Sequence, residues 1–414
     1  MDRLPVELLH RIGRYLLQDS CFRLARTCRH LYHAVLPVMY SDIFMRSTIL
    51  TAKNLSCFLQ TIARKPYLAH SVRIFSIEGW DTNENRVAQF EDEVILDEEL
   101  IGRLVREASE TDEEMTRWLH SLRKGNPDAW LALLMPLLTN LRKLEVEYPY
   151  FPKYFNSMLD KAAQGKVKAF PRLEEVETSW ADTELGIDSN DLLPYFYFPA
   201  MRKLQATNVV EREGNSENGG FDNAQQSFSG IKELVLESSN GADGMTRWLR
   251  CCKALKSFSI DHGGALVSED SWMSAVFGKS LARHKSTLEY LSLDINDSND
   301  VDEEQWVGSL TEYLALKYLH IRYPDLVGMS EDWEPLHEIS DLLPSSLETL
   351  SLEGCGDDVL HWLPAQLERL IQSGQTPNLT TLSLEGFNVM SREDCQPELR
   401  RLFDICEQAG IRLQ

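Results

Sequence analysis

The chain has 414 residues, 43 % of them hydrophobic and 26 % charged, with a formal net charge of −22. That length exceeds one ordinary core and predicts two or three domains, or one extended repeat array. So negative a chain is a poor match for nucleic acid or anionic lipid, and it favours basic protein surfaces.

The N-terminus, MDRLPVELLHRIG, carries charges inside its apolar stretch and does not read as a signal peptide. No run of about 18 apolar residues is present to span a membrane. The eight cysteines are Cys21, Cys28, Cys57, Cys251, Cys252, Cys355, Cys395 and Cys406. They form no Cys-x-x-Cys pair and match neither zinc nor disulfide spacing, so they read as reduced, mostly buried thiols.

Residues 1–60 hold eight Arg and Lys against four Asp and Glu, a net of +4 at the head of an acidic chain. Such asymmetry predicts a separate unit with its own partner. Three short helices are expected. The first starts at Pro5, with Leu8, Ile12, Tyr15 and Leu16 at helical spacing. The second is capped by Asp19 or Ser20 and carries Phe22, Leu24 and Ala25. The third follows Thr27, carries Cys28, Leu31, Ala34 and Val35, and stops before Pro37. Forty such residues bury too little apolar surface to stand alone, so part of it must meet a partner or the rest of the chain.

The stretches LPVELLHRIGRYL and SCFRLARTCRHLYHAV resemble an F-box. Leu4, Pro5, Glu7, Leu8, Ile12, Leu16, Leu24, Ala25, Cys28, Arg29 and Leu31 match the family pattern, and Leu31 or Tyr32 stands where the family often has Trp. The resemblance covers about residues 2–42. It implies docking on a Skp-type adaptor and, through it, a cullin ubiquitin ligase, with Leu4, Pro5, Leu8, Ile12 and Leu16 lining the adaptor contact. A capping helical cluster for the rest of the chain is the plainer alternative.

Beyond residue 45 a short pattern, apolar-x-x-apolar-x-apolar, recurs ten times, starting at Val72, Leu141, Leu173, Met201, Ile231, Leu255, Leu288, Leu316, Leu347 and Leu379. After the first gap the spacing is 24–33 residues, which identifies long leucine-rich repeats. The third and fourth units are weak, with Thr178 and Ala206 at the last anchor. Helical stretches lie between them: PKYFNSMLDKAAQ, GMTRWLRCCKAL, SWMSAVFGKSLARH, EEQWVGSLTEYL, VLHWLPAQLERLIQ and PELRRLFDICEQA. Trp118, Trp248, Trp272, Trp306 and Trp362 are expected to pack against the strand layer. The final GIRLQ is expected to add a terminal strand.

The expected fold is therefore α/β. A three-helix F-box over residues 1–45 precedes a right-handed leucine-rich-repeat solenoid, a horseshoe of about ten strand–helix units, over 46–414. Two segments break the rhythm. Residues 81–114 hold thirteen acids against three Arg, an acidic insertion read as solvated loop and helix or as a regulatory flap; residues 211–227 read as a flexible loop.

No phosphate loop, His-Glu-x-x-His or Gly-x-Ser-x-Gly is present. The run DINDSNDVDEE from Asp294 lacks the Gly and the terminal Glu of a calcium loop, and the ten histidines show no ligand spacing. No catalytic residue, metal or cofactor is expected, and the chain reads as a non-enzyme. The resemblance implies a substrate-recognition subunit of a Skp-cullin-F-box ubiquitin ligase, in the cytoplasm or nucleus. A repeat scaffold not coupled to a ligase is the alternative.

Strand side chains alternate, so with the anchors inward the intervening positions face the concave surface. The sixth position after each first anchor is acidic in seven of ten repeats: Glu78, Glu147, Glu237, Asp261, Asp294, Glu353 and Glu385. Over the three outward rows eleven acids meet Lys143, Lys203 and Arg322, a net of −8. Tyr290, Tyr318 and His320 interrupt a row of small serines, and aromatics are typical binding anchors. A protein substrate with a basic segment is expected on Glu237, Asp261, Tyr290, Asp294, Tyr318, His320, Glu353 and Glu385.

Overall fold

The computed structural model describes residues 4–46, 52–82, 96–182, 184–212, 227–263, 274–295, 306–355, 359–386 and 397–414. They divide into two compact units, residues 1–181 with 197–201, and residues 182–196 with 202–414.

The first unit opens with three helices. Pro5 caps α1 (Val6–Gly13) with φ −58°, and Glu7 sits in the first turn, where the exposed N–H groups favour an anion. α2 (Gln18–Ala25) starts one residue before the expected Asp19 or Ser20 cap, with Leu17 at its N-cap and no side-chain cap bond. α3 (Arg29–Met39) runs through Pro37 and does not stop before it. Pro37 lies in the last turn, so the missing N–H removes one bond there without breaking the helix. The inward stripe is Leu9 from α1 with Leu31 and Ala34 from α3, and Leu4, Leu24 and Cys28 pack around it. Gly13 lets α1 approach α3 closely, because a Cβ there would lie 3.3 Å from Val38 Cγ1.

A strand that the repeat search does not find follows directly. β1 (Asp42–Met45) pairs in parallel with β2 (Ile74–Ile77), aligning Asp42 with Ile74, so the helical segment is joined to the repeats through a ladder. β3 (Lys143–Tyr148) and β4 (Glu175–Trp180) extend this four-stranded parallel sheet. The anchors Phe75, Ile77, Leu144, Val146 and Val176 are all buried beneath it.

Of the acidic segment 81–114, residues 83–95 lie outside the described residues. Much of the remainder is helical. Asp97 caps helix Glu98–Ala108, which buries Leu100, Ile101 and Val105. Thr111 caps helix Asp112–Arg123, whose first turn holds Asp112, Glu113 and Glu114. Part of the acid excess thus sits where a helix N-terminus favours it.

The second unit carries eight parallel strands in chain order. A small pair, β5 (Ile187–Asp188) and β7 (Val209–Val210), stands apart from β6 (Lys203–Thr207). Then come β8 (Glu233–Glu237), β9 (Ser257–His262), β10 (Tyr290–Ile295), β11 (Tyr318–Arg322), β12 (Thr349–Glu353) and β13 (Thr381–Leu384). β14 (Arg412–Leu413) is the strand expected from GIRLQ. Every one of the ten recurrences is a strand. From β8 onward the N–H ahead of a strand bonds the preceding repeat, as Lys317 N does to Glu289 O at 2.8 Å and Glu348 N to Lys317 O at 2.8 Å.

The connecting helices match expectation at Lys153–Ala163, Thr246–Cys251, Ser274–Leu281, Leu363–Ser373 and Pro397–Ala409. EEQWVGSLTEYL does not. Its described part, residues 306–314, is extended and turned. Gly308 adopts φ +93°, and Val307 N and Leu310 N bond Asp325 O and Leu342 O across neighbouring repeats, which removes them from any helical ladder. Trp118 and Trp248 are buried as expected; Trp362 is exposed, and Trp272 lies outside the described residues. Cys21, Cys251, Cys252, Cys355 and Cys406 are buried free thiols, Cys28 is half-buried and Cys57 exposed, while Cys395 lies outside the described residues. The same holds for residues 213–226 of the expected loop.

Candidate functional site

Two surfaces collect the residues singled out in the sequence. The first is on the N-terminal helices. Burial of Leu9 and Gly13 turns the opposite side of α1 outward, and Leu8 is 46 % exposed. Leu16 is 37 % exposed, while Tyr15 and Leu17 reach 82 % and 80 %. Val6 and Phe22 are exposed beside them. Pro5 is exposed and Ile12 half-buried; Leu4, expected on the same face, packs instead against the Leu9 core. Tyr15, Leu17 and Phe22 were missed as surface candidates. The signal was present, since three consecutive large apolar residues at 15–17 cannot all point inward from one stretch of backbone.

The second surface lies on strands β9–β13. Parallel register aligns Tyr290 with Tyr318, and Ser259, Ser292, His320, Ser351 and Ser383 in one row. The two tyrosine rings stack with centroids 4.3 Å apart and planes within 3°. His320 Nε2 lies 2.6 Å from Glu353 Oε1, and its Nδ1 lies 3.8 Å from Glu385. Asp294 aligns with Asp261, and its carboxylate lies close to Glu353. Small serines on either side leave the imidazole and carboxylates room to meet. The structure thus brings together seven of the eight expected residues of this site. Glu237 lies on the adjoining strand β8, where Gln205 Nε2 and Thr207 Oγ1 donate to it.

Two features depart from the alternation argument. His320 is 7 % exposed and Arg322 6 %, so neither is an open surface group. Arg322 does not contribute a base to the face. Its Nε and Nη2 donate to the two carboxylate oxygens of buried Asp325 at 3.0 and 3.1 Å, turning it into the short helix Tyr323–Val327. The i,i+3 spacing of Arg322 and Asp325 was legible but unused. Lys143 and Lys203, the other expected bases, are paired with Glu145 and Glu177 and with Glu233. The lysines thus offset acids on β3, β4 and β8, while Asp261, Asp294, Glu353 and Glu385 gather around the single imidazole of His320.

Protonation follows from this crowding. Burial, then the charges of Glu353 and Asp261, push the Asp294 carboxyl up to about 6. Burial opposes a charged His320, but the Glu353 hydrogen bond and the charges of Glu353, Glu385 and Asp294 outweigh it and raise its pKa. Burial, together with Tyr290 and the acids, pushes the Tyr318 phenol up to about 12. Donor atoms of Asp294, His320 and Glu353 lie within 4.8 Å of one another, a grouping that sequence spacing did not reveal. Of these contacts, His320 Nε2 to Glu353 Oε1 is the short one, at 2.6 Å. A negative surface with an aromatic pair can receive an ammonium or guanidinium group, by charge and over the ring faces.

A leucine-rich repeat domain model matches residues 46–394. The chain belongs to the leucine-rich repeat family. An F-box-like model matches residues 1–46, so the N-terminal helices are an F-box-like domain ahead of the repeats. No curated protein matches the chain. Among the described residues no helix is long and apolar enough to cross a membrane. The exposed ridge of Leu8, Leu16 and Leu17 lies on the F-box side, and the acidic aromatic surface lies on the repeats.

Proposed function

We propose that this chain is the substrate-recognition subunit of a Skp-cullin-F-box ubiquitin ligase. The F-box helices dock on a Skp-type adaptor, and the strand face around Tyr290, Tyr318 and His320 captures a protein substrate through a basic segment. The protein works in the cytoplasm or nucleus and leaves the ubiquitin chemistry to other subunits. Both domain types are typically interaction modules.

The observation that carries this reading is the ridge of Leu8, Tyr15, Leu16, Leu17 and Phe22. Several large apolar side chains exposed within one short segment are costly in water and favour a protein-binding surface. Capturing the tagged full-length chain from cells tests it. A stoichiometric Skp-type adaptor and cullin should co-purify, and ubiquitinated proteins should accumulate when the proteasome is blocked. Recovery of repeat-bound proteins with no adaptor would instead establish an uncoupled repeat scaffold.

A further inference from the structure

On a chain of net charge −22, a concave region in the first unit gathers four arginines. A cavity of about 580 Å³ opens within the first unit, between the F-box helices and the turns leading into the first repeats. Arg14, Arg73, Arg142 and Arg172 line it, with His10 and His70. Asp42 is its one carboxylate. The volume is that of a small-molecule site.

The walls are built rather than incidental. His10 and Arg14 come from α1 and its C-cap. The remaining cations are set by the repeat ladder. Arg73 O accepts from Arg142 N at 2.7 Å, and Asn140 Nδ2 donates to His70 O at 3.0 Å. Arg172 Nη1 donates to Asn140 Oδ1 at 2.8 Å, which holds that guanidinium at the rim. Arg142 bonds Glu174 at 3.0 Å. Among the described residues Arg14 and Arg73 have no carboxylate partner, and His10 Nε2 is buried without a hydrogen-bond partner. Pro37, Val38 and Ile74 supply an apolar patch beside these cations.

We propose that this cavity binds an organic phosphate. The phosphoryl oxygens are met by the forked guanidiniums of Arg14 and Arg73, with Arg142 in support, and the apolar body rests on Pro37, Val38 and Ile74. Arg suits this role because its planar fork presents paired donors to phosphate oxygens. The ligand bridges α1 and the repeat turns, so it fastens the F-box helices to the first repeats. None of this depends on the ligase reading, since the cavity touches neither the apolar ridge nor the acidic strand face.

Titration calorimetry on the full chain, with inorganic phosphate and phenyl phosphate as probes at matched ionic strength, tests the proposal. Both should bind saturably, phenyl phosphate the more tightly. Arg14→Gln or Arg73→Gln should weaken phenyl phosphate about tenfold or more, as expected for a lost charge-assisted contact. Glu174→Gln releases Arg142 and should strengthen binding, a gain that a misfolded variant would not produce. An absence of saturable binding, equal affinity for both probes, or affinities unchanged by all three substitutions would overturn the site. So would displacement of the phosphates by an acidic peptide that binds more tightly than either.

Discussion

Asp128 offers a sharp test of how the first unit is held together. It is 1 % exposed, and it accepts the backbone N–H groups of Tyr154 at 2.7 Å and Phe155 at 2.8 Å. It therefore ties helix Pro127–Leu134 to the first turn of helix Lys153–Ala163. Burial dominates and pushes its carboxyl from 3.8 up to about 6, against the pull of those N–H donors. A raised acid pKa means that the fold binds the proton more strongly than the unfolded chain. The contribution is thus greatest when both states are protonated, falls as pH rises from about 4 to about 6, and is flat above. Two units at 1.36 kcal/mol each make the change about 3 kcal/mol. Asp128→Asn has no charge to titrate, but its amide can face only one of the two N–H donors with an oxygen, a loss of about 1–3 kcal/mol. The variant should be clearly less stable than the parent at pH 4.5 and close to it at pH 7.5. Urea unfolding followed by tryptophan fluorescence at both pH values measures the difference. A gap between parent and variant that stays constant with pH would refute the reasoning.

Replacing Glu353 with Gln removes the strongest support for a charged His320, so its imidazole should titrate at lower pH than in the parent; two-dimensional NMR of the ring protons reads this directly, and an unmoved titration would mean that the two groups do not interact in solution. Because the His320 pKa is raised, its stabilising contribution is complete below its ordinary pKa of 6.5 and fades as pH rises through the higher folded value. Gly13→Leu should push α1 from Val38 and lower the thermal midpoint, and a circular-dichroism melt superimposable on the parent's would contradict the close packing seen there. Once a substrate is trapped, Glu353→Lys with Glu385→Lys should slow its association more than it speeds release, and surface plasmon resonance at two salt concentrations should show weaker capture at the higher one.

Much of the fold was legible because leucine-rich repeats write their geometry into spacing. Even Thr178 and Ala206, poor anchors by composition, occupy buried strand positions, since register is set by the neighbouring repeats. β1 was not legible. Its segment, Asp42–Met45, carries no repeat signature and becomes a strand because an edge of β2 is available to it. At the acidic site, side-chain alternation puts Tyr290 beside Tyr318 and Asp294 near Glu353, as the strands do. It could not foresee that Arg322 would turn toward Asp325, because alternation fixes where a side chain starts and not where a long one ends. The basic cavity escaped for a different reason. Its arginines are separated by as many as 158 positions, from Arg14 to Arg172, and only the folded ladder brings them together.

The most direct measurement is calorimetric binding of the full chain to a purified Skp-type adaptor, with Leu8→Asp and Leu17→Asp combined in the comparison protein. Weighted by their exposures of 46 % and 80 %, the two leucines contribute about 2–4 kcal/mol to a buried interface. Their loss corresponds to roughly 30- to 700-fold in affinity. The expected result is tight binding by the parent, weakening of at least that order in the variant, and an unchanged far-ultraviolet spectrum, since both side chains face away from the Leu9 core. Binding of the variant as tight as the parent's, or a parent that does not bind the adaptor at all, would contradict the ligase reading.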